Sequence, residues 1–234
     1  MPSLSSIAAQ SLQRRIVGGE FRQGDTLPPQ RELSESLGIS RASLREAISM
    51  LEALGLVRSQ PGKGVFVTVG ATPDPASLPE SHTTGGSMSP AALIEFRLAL
   101  EPTWTALAAQ RVDQAALASL QEIQSSMQQS LQSGDLVMAS EWDLQFHLRI
   151  AELSGNPGLV AIAAQYRGQI AHSLRLPFSN SRQVWAPADE HQLILQALAA
   201  ADPQAAARAM QAHLLSAAHR VGLELPARLP SFAL

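Results

Sequence analysis

The sequence contains no cysteine. That absence excludes a disulfide framework and any thiolate-bound metal. Aromatic residues make up only 4% of the chain, and no apolar run reaches the roughly 18 residues that a membrane-spanning helix needs. The N-terminus lacks the basic-then-apolar pattern of a secretory signal. These gaps give the expectation of a soluble, cytoplasmic protein with no membrane partner. A strong net charge is missing too. The formal charge is −3, which argues against a protein that coats nucleic acid generally.

What is present is a chain of 234 residues, 45% hydrophobic and rich in Ala and Leu. This length allows one or two domains, and the composition favours helices. Charge is unevenly spread. Residues 1–70 hold 8 basic against 6 acidic side chains, and residues 71–234 hold 9 against 14. A mildly basic front joined to an acidic back fits a DNA-contacting unit carrying a second unit with another task.

The stretch from Leu27 to Val69 carries the clearest pattern. Ahead of it, Ile7, Leu12 and Ile16 share one side of a first helix that Gly18-Gly19 ends. Pro28-Pro29 starts a second helix in which Leu33 and Leu37 face inward, and Gly38 allows a tight turn. Ser40 caps a third, whose buried stripe is Leu44, Ile48 and Leu51. Arg41 and Arg45, four apart, share the opposite face near its N-terminal end. Arginine donates two hydrogen bonds to guanine O6 and N7. The first helical turn offers free N–H groups to phosphate. Ser43 can bond phosphate or a base edge, and Arg31 can reach the backbone. Gly62-Lys63-Gly64 then forms the narrow tip of a two-stranded wing able to approach phosphate or the minor groove. The order is that of a winged helix-turn-helix.

Gly70 to Pro90 holds four prolines and shows no apolar period, so it reads as a linker. From Ala91 the period is helical to about Gly222. Asp113, Asp135, Asn156-Pro157 and Asp202-Pro203 mark helix starts. Gly134, Gly155, Pro177 and Gly222 mark ends. The expected fold is mainly α: a winged helix-turn-helix over 1–70, a linker over 71–90, an antiparallel bundle of about six helices of 15–20 residues over 91–223, and a tail over 224–234.

Within the bundle, Asp143 and His147 lie four apart on one helix face. His191 and His213, on two other helices, are flanked by inward-facing Ile194, Leu195, Met210 and Leu214. Such a set is costly to bury unless paired or bound to metal. It suits a divalent transition metal, Zn²⁺ first and Ni²⁺, Mn²⁺ or Fe²⁺ as alternatives. Taken singly, a histidine on an apolar helix is more often a satisfied core residue, and an Asp–His pair at this spacing more often a surface hydrogen bond. His82, His172 and His219 fall outside the pattern. A metal hydrolase could also be built on this set, but no general base stands at motif spacing beside it, and an enzyme is not expected. An architectural DNA protein with a structural metal remains open.

The segments GDTLPPQRELSESLGISRASLREAISMLEALGLV and QPGKGVFV resemble the N-terminal domain of the GntR family of bacterial transcription regulators, over about residues 7–69. The resemblance places Arg31, Arg41, Ser43, Arg45 and Gly62 on DNA-touching positions. Pro61 falls on a wing position that the family fills variously. Further on, RLALEPTWTALAAQR, DLQFH, SGNPGL, EHQLILQAL and AHL resemble the FCD ligand-binding domain of the FadR subfamily, over about residues 91–221. That resemblance implies a metal held by Asp143, His147, His191 and His213. It also implies that Arg97 meets an effector carboxylate, where Glu101, four residues on, is the alternative partner. It points away from acyl-CoA sensing. Together these imply a homodimeric regulator, a repressor, that reads a palindromic double-stranded operator and responds to a small organic acid.

Overall fold

The computed structural model describes residues 3–68, 81–83 and 86–225. The first helix, α1 (Leu4–Val17), is capped by the Ser3 hydroxyl, which accepts from the Ser6 N–H. Helices α2 (Gln30–Leu37) and α3 (Arg41–Ala53) follow, separated by a turn in which Gly38 adopts φ 64°. A side chain at that φ would be strained, so glycine fits the turn. Two antiparallel strands, β1 (Val57–Gln60) and β2 (Gly64–Val67), pair in the register Val57↔Val67, and Thr26 bridges Phe66. Strand β2 thus ends at Val67, and Val69 lies outside the described residues.

In the expected linker stands a second antiparallel hairpin, β3 (Ser81–Thr83) with β4 (Gly86–Met88). The expected linker therefore carries a short hairpin near its end. Three-residue strands are too short to leave an apolar alternation in sequence. Residues 71–80 and 84–85 of the expected linker, and the tail beyond 225, lie outside the described residues.

The back half holds α4 (Pro90–Ala109), α5 (Gln114–Gln132), α6 (Leu136–Leu153), α7 (Pro157–Gln165), α8 (Arg167–Arg175), a 3₁₀ turn (Leu176–Ser179), α9 (Ala186–Ala199) and α10 (Pro203–Arg220). The caps sit where the punctuation put them: Asp113, Asp135, Asn156 and Asp202 each accept from the first helical turn. The count is corrected from about six to seven α-helices among the described residues. The reason is a break at Tyr166, where one helix from 157 to 177 was expected. Neither Gly nor Pro occupies that position. The Tyr166 ring packs on Phe96 with centroids 4.8 Å apart, and the chain re-aims there so that α8 lies against α4. No described helix is long and apolar enough to cross a membrane.

Two large apolar cores form among the described residues, beside a small cluster of Ala53, Leu176 and Val221. One lies inside the bundle around Trp104, Leu120, Phe146, Ile150, Met210 and Leu214. The other joins front to back, packing Leu12, Leu44 and Leu51 with Met127, Val137 and Phe178. Ile7, expected inward, is 48% exposed; Ala8, Ala9, Leu12 and Ile16 cover the buried side of α1 instead. Beyond this shared core, a groove of about 1190 Å³ runs between α3 and helices α6 and α8, lined among others by Arg45, Glu46, Trp142 and Arg175.

A buried polar clamp reinforces the shared core. Gln13 on α1 donates to the Gly134 carbonyl at 2.5 Å and accepts from the Val137 N–H at 2.9 Å. It thereby satisfies the Val137 N–H in the first turn of α6, which that helix leaves unpaired, and adds a second donor to the Gly134 carbonyl, which also accepts from the Leu136 N–H at 3.2 Å. Gln13→Ala orphans the Val137 N–H, at a cost of about 1–3 kcal/mol. Thermal denaturation of this variant is expected to start several degrees lower, with the front helices losing structure first. An unchanged melting curve would show that the clamp does not stabilise the junction.

Candidate metal centre and nucleic-acid interface

At the front, Ser40 caps α3 by accepting from the Ser43 N–H at 3.0 Å, and the two hydroxyls share a bond of 2.9 Å. This fixes the N-terminal turn on which Arg41 and Arg45 stand. Both arginines are exposed, as are Gly62 and Lys63 at the hairpin tip. Gly62 has φ 72° with open space around it, so the wing tip can approach a surface closely. Arg31 is exposed on α2 and pairs with Glu35 at 3.0 Å. The expected DNA-reading residues therefore stand on three consecutive elements, α2, α3 and the β1–β2 tip. Arg45 additionally borders the groove toward the back half.

In the back half the structure brings Asp143, His147, His191 and His213 together. Each is at most 2% exposed, and each offers one ligand atom within 4.8 Å of the others. Three helices supply them: α6 gives Asp143 and His147 one turn apart, α9 gives His191 and α10 gives His213. Phe146 stacks flat on the His191 ring at 3.9 Å and fixes its plane.

The outer faces of the three imidazoles decide which nitrogen points inward. His147 Nδ1 lies 2.6 Å from Glu101 Oε2, and His213 Nδ1 lies 2.8 Å from Glu190 Oε2. A carboxylate oxygen only accepts, so both Nδ1 atoms carry the proton. His191 Nδ1 lies 3.0 Å from Gln124 Oε1. That amide is pinned in this sense because its Nε2 donates to the Ala188 carbonyl at 2.6 Å. All three Nε2 atoms are then bare lone pairs directed at one point, which is how a partner on the far nitrogen prepares a metal-ligating histidine.

The interior shows the consequence. Asp143 Oδ1, His191 Nε2 and His213 Nε2 are buried with no hydrogen-bond partner. Asp143 Oδ1 stands 3.4 Å from His147 Nε2 and 3.3 Å from His191 Nε2, with no proton between them in these tautomers. Four convergent acceptors in a dry core repel one another unless a cation lies between them. Nitrogen and carboxylate donors in this number fit a borderline-soft divalent ion.

Protonation follows the same lines. Burial opposes charge on Glu101, but the Arg97 guanidinium and His147 outweigh it and hold its pKa at about 2. Burial likewise opposes charge on Asp143, and the His147 and His191 rings beside it push it well below the usual carboxylate range. On His147 the effect of burial is overridden by the Glu101 charge, so its pKa rises. Burial lowers His191 and brings His213 down to about 3. Two carboxylates are thus kept charged and two imidazoles kept neutral, the forms that ligate.

Arg97 is 1% exposed on α4. Its Nε donates to Glu101 Oε1 at 2.6 Å, its Nη1 to Ser173 at 3.2 Å, and its Nη2 lies 3.4 Å from His147 Nε2. The bridge to Glu101 seen as an alternative in sequence exists, and it is buried rather than solvated. Sequence reasoning missed four residues of this centre. Gln124 left no signal. Glu190 is adjacent to His191 but serves His213, and Arg220 in turn bonds Glu190 at 2.6 Å. Ser173 stands in a segment read as plain helix.

Comparison with known proteins agrees with both halves. The model described as bacterial regulatory proteins, gntR family, matches residues 4–67, and the FCD domain model matches residues 92–216. The chain is 33% identical over 213 residues to the Exu regulon transcriptional regulator of Escherichia coli K12, covering 88% of this chain and 80% of that protein. It is 29% identical over 229 residues to the HTH-type transcriptional repressor NanR of Enterobacter sp., covering 91% and 83%. The solved structure of E. coli McbR/YncC, 21% identical, shares the fold with a TM-score of 0.53 over 94% of this chain and 98% of that one. The relatives are regulators, not enzymes, and the chain belongs to the GntR family of bacterial DNA-binding transcription regulators, carrying an FCD domain in its back half.

Proposed function

We propose that this regulator is a metal-dependent, carboxylate-responsive repressor of a metabolic operon, of the FadR type and acting as a homodimer. Its front domain, residues 1–70, reads DNA, the segment 71–90 links, and residues 91–223 sense, with 224–234 as a tail. Two recognition helices related by a two-fold axis would read a short palindrome. The word repressor in the name of one relative supports the sign of regulation.

On the DNA, Arg41 and Arg45 face bases from the exposed side of α3. Ser40, Ser43 and Arg31 serve phosphates, and Gly62 with Lys63 brings the wing to the backbone. In the sensor, Asp143, His147, His191 and His213 would hold the cation, with Zn²⁺ the best match to three imidazoles and a carboxylate. Such an ion, when bound, offers a coordination position to a carboxylate oxygen. Arg97, beside His147, is placed to meet the same group. An effector bound there shifts the population between dimer arrangements that fit the operator and those that do not. The observation that supports this reading most is the convergence of buried acceptor atoms with no hydrogen-bond partner on one point.

Three outcomes test it. Arg41→Ala and Arg45→Ala remove exposed side chains, so the fold should persist. Each variant should bind an operator, selected from a random-sequence pool by the wild type, about 1–3 kcal/mol more weakly. Fluorescence anisotropy with that duplex reads the change, and wild-type affinity in both variants sinks the recognition-helix assignment. Glu190→Ala frees His213 Nδ1, and zinc affinity measured by chelator competition should drop about tenfold to a hundredfold. An unaltered affinity would remove Glu190 from the centre. A thermal-shift screen of small acids on zinc-loaded protein should find at least one that raises the melting temperature; none would mean that the back half senses no acid.

A further inference from the structure

The groove between α3 and helices α6 and α8 is lined by none of the four clustered residues and not by Arg97. At about 1190 Å³ it is no smaller than the roughly 300–1,000 Å³ of sites that hold small organic ligands. Its floor is apolar and polarisable. Met50 of α3 is buried, and Met138 and Trp142 of α6 are half-buried. An indole beside thioethers favours a flat aromatic body. On the α8 side Gly168 and Ala171 present almost no side chain, which keeps that wall low.

Charge is sorted across this floor. Helix α8 brings Arg167 and Arg175, α6 brings Glu141, and α3 brings Glu46 and Glu52 beside Arg45. Three arginines and three glutamates leave the groove neutral as a whole, but its α8 wall is basic and its α3 wall acidic. Two of these groups are already engaged. Glu52 accepts from the Ser59 N–H at 2.6 Å, and Arg175 gives one N–H of its Nη2 to Glu141 at 2.8 Å. Glu46 is exposed. Its charge reaches Arg175 across the groove and works against the lowering that burial imposes on that guanidinium. The two are nevertheless not in contact: among the described residues the ion pair of Arg175 is with Glu141. A carboxylate and a guanidinium with donors to spare therefore face one another across a gap, and the guanidinium is only 8% exposed.

We infer that this groove is a second ligand site, and that its ligand is a zwitterion with an aromatic body, an aromatic amino acid. The ligand carboxylate meets Arg175, its ammonium meets Glu46, and its ring lies against Trp142 and the methionines. A plain anion would pair with Arg175 and place a like charge before Glu46. A plain cation would do the reverse. A molecule carrying both charges suits both walls and leaves a neutral groove neutral. Arg45, Glu46, Ser49 and Glu52 belong to the outward face of α3, so an occupant here touches the helix assigned to DNA and competes with an operator for that face. The site needs neither the cation nor the acid effector; only its effect on DNA rests on the recognition-helix assignment.

Phenylalanine, phenylpropionate and phenethylamine form the test set. They share a skeleton and carry both charges, the carboxylate alone and the ammonium alone. Calorimetry on the full chain is expected to show phenylalanine binding about tenfold or more tighter than either analogue. Glu46→Gln alters an exposed side chain and should weaken phenylalanine about tenfold while sparing phenylpropionate. Arg175→Gln should weaken phenylalanine and spare phenethylamine; if loss of the Glu141 partner prevents its folding, Glu46→Gln decides alone. No binding of phenylalanine, tyrosine or tryptophan would overturn the inference. So would phenylpropionate binding as tightly as phenylalanine, or wild-type phenylalanine affinity in Glu46→Gln. Binding that vanishes on treatment with a chelator would move the ligand to the metal centre and overturn it as well. Saturating phenylalanine should weaken operator binding severalfold in fluorescence anisotropy. An unchanged operator affinity, with the recognition-helix variants behaving as expected above, would overturn the competition for α3.

Discussion

Three imidazole lone pairs and a carboxylate oxygen converge in a core that water does not reach, and the surrounding bundle answers to that constraint. Each ring must be held with its proton outward, so each needs an acceptor on a different helix. Glu101 on α4, Gln124 on α5 and Glu190 on α9 provide them. Those acceptors need holding in turn. Arg97 holds Glu101, the Ala188 carbonyl fixes Gln124, and Arg220 holds Glu190. With Ser173 of α8 accepting from Arg97, six of the seven back-half helices are therefore tied to one point by polar contacts. Partly satisfied networks of this kind are unfavourable and fully satisfied ones rigidify. A cation at the centre would move this one from the first case to the second.

Helix α8, like α6, reaches from that centre to the front half. Ser173 accepts from Arg97, and two residues on Arg175 bonds Glu141 of α6 at 2.8 Å. The same arginine feels the Glu46 charge on α3 and lines the groove that Arg45 borders. Just beyond, Ser179 sits against Gly55 so closely that any side chain at that glycine would collide with it. A change in what Arg97 bonds therefore acts on a helix whose other face touches the recognition helix. The break at Tyr166 makes this possible, since an unbroken helix from Pro157 could not also turn its second half onto α4.

Sequence carried much of this and failed in specific places. Caps and breakers are local chemistry, so Ser40, Asp113, Asn156 and Asp202 were legible and stand where expected. Asp143 with His147 was visible because an interval of four is a property of one helix. Bringing His191 and His213 to the same point needed the apolar stripes around them, and the family resemblance turned that alternative into a ligand set. Gln124 was illegible because nothing in its own helix requires it; only the distant Ala188 carbonyl and His191 give it a role. The Tyr166 break was illegible for the same reason, because a tertiary contact with Phe96 stands in for a breaker residue. Ile7 misled because its spacing fits a stripe that Ala8 and Ala9 in fact occupy.

The two halves place opposite demands on their functional residues. Arg31, Arg41, Arg45 and Lys63 are exposed, and their packing is not what holds the front domain together. Substitution there should change stability little. The centre has no such freedom. Removing Glu101 leaves Arg97 buried without its counter-charge, and removing Arg97 leaves Glu101 in the same state; either costs about 3–5 kcal/mol by the usual measure of a broken buried pair. The front domain can thus change its surface one residue at a time, whereas the buried centre can change only by steps that leave its charges paired.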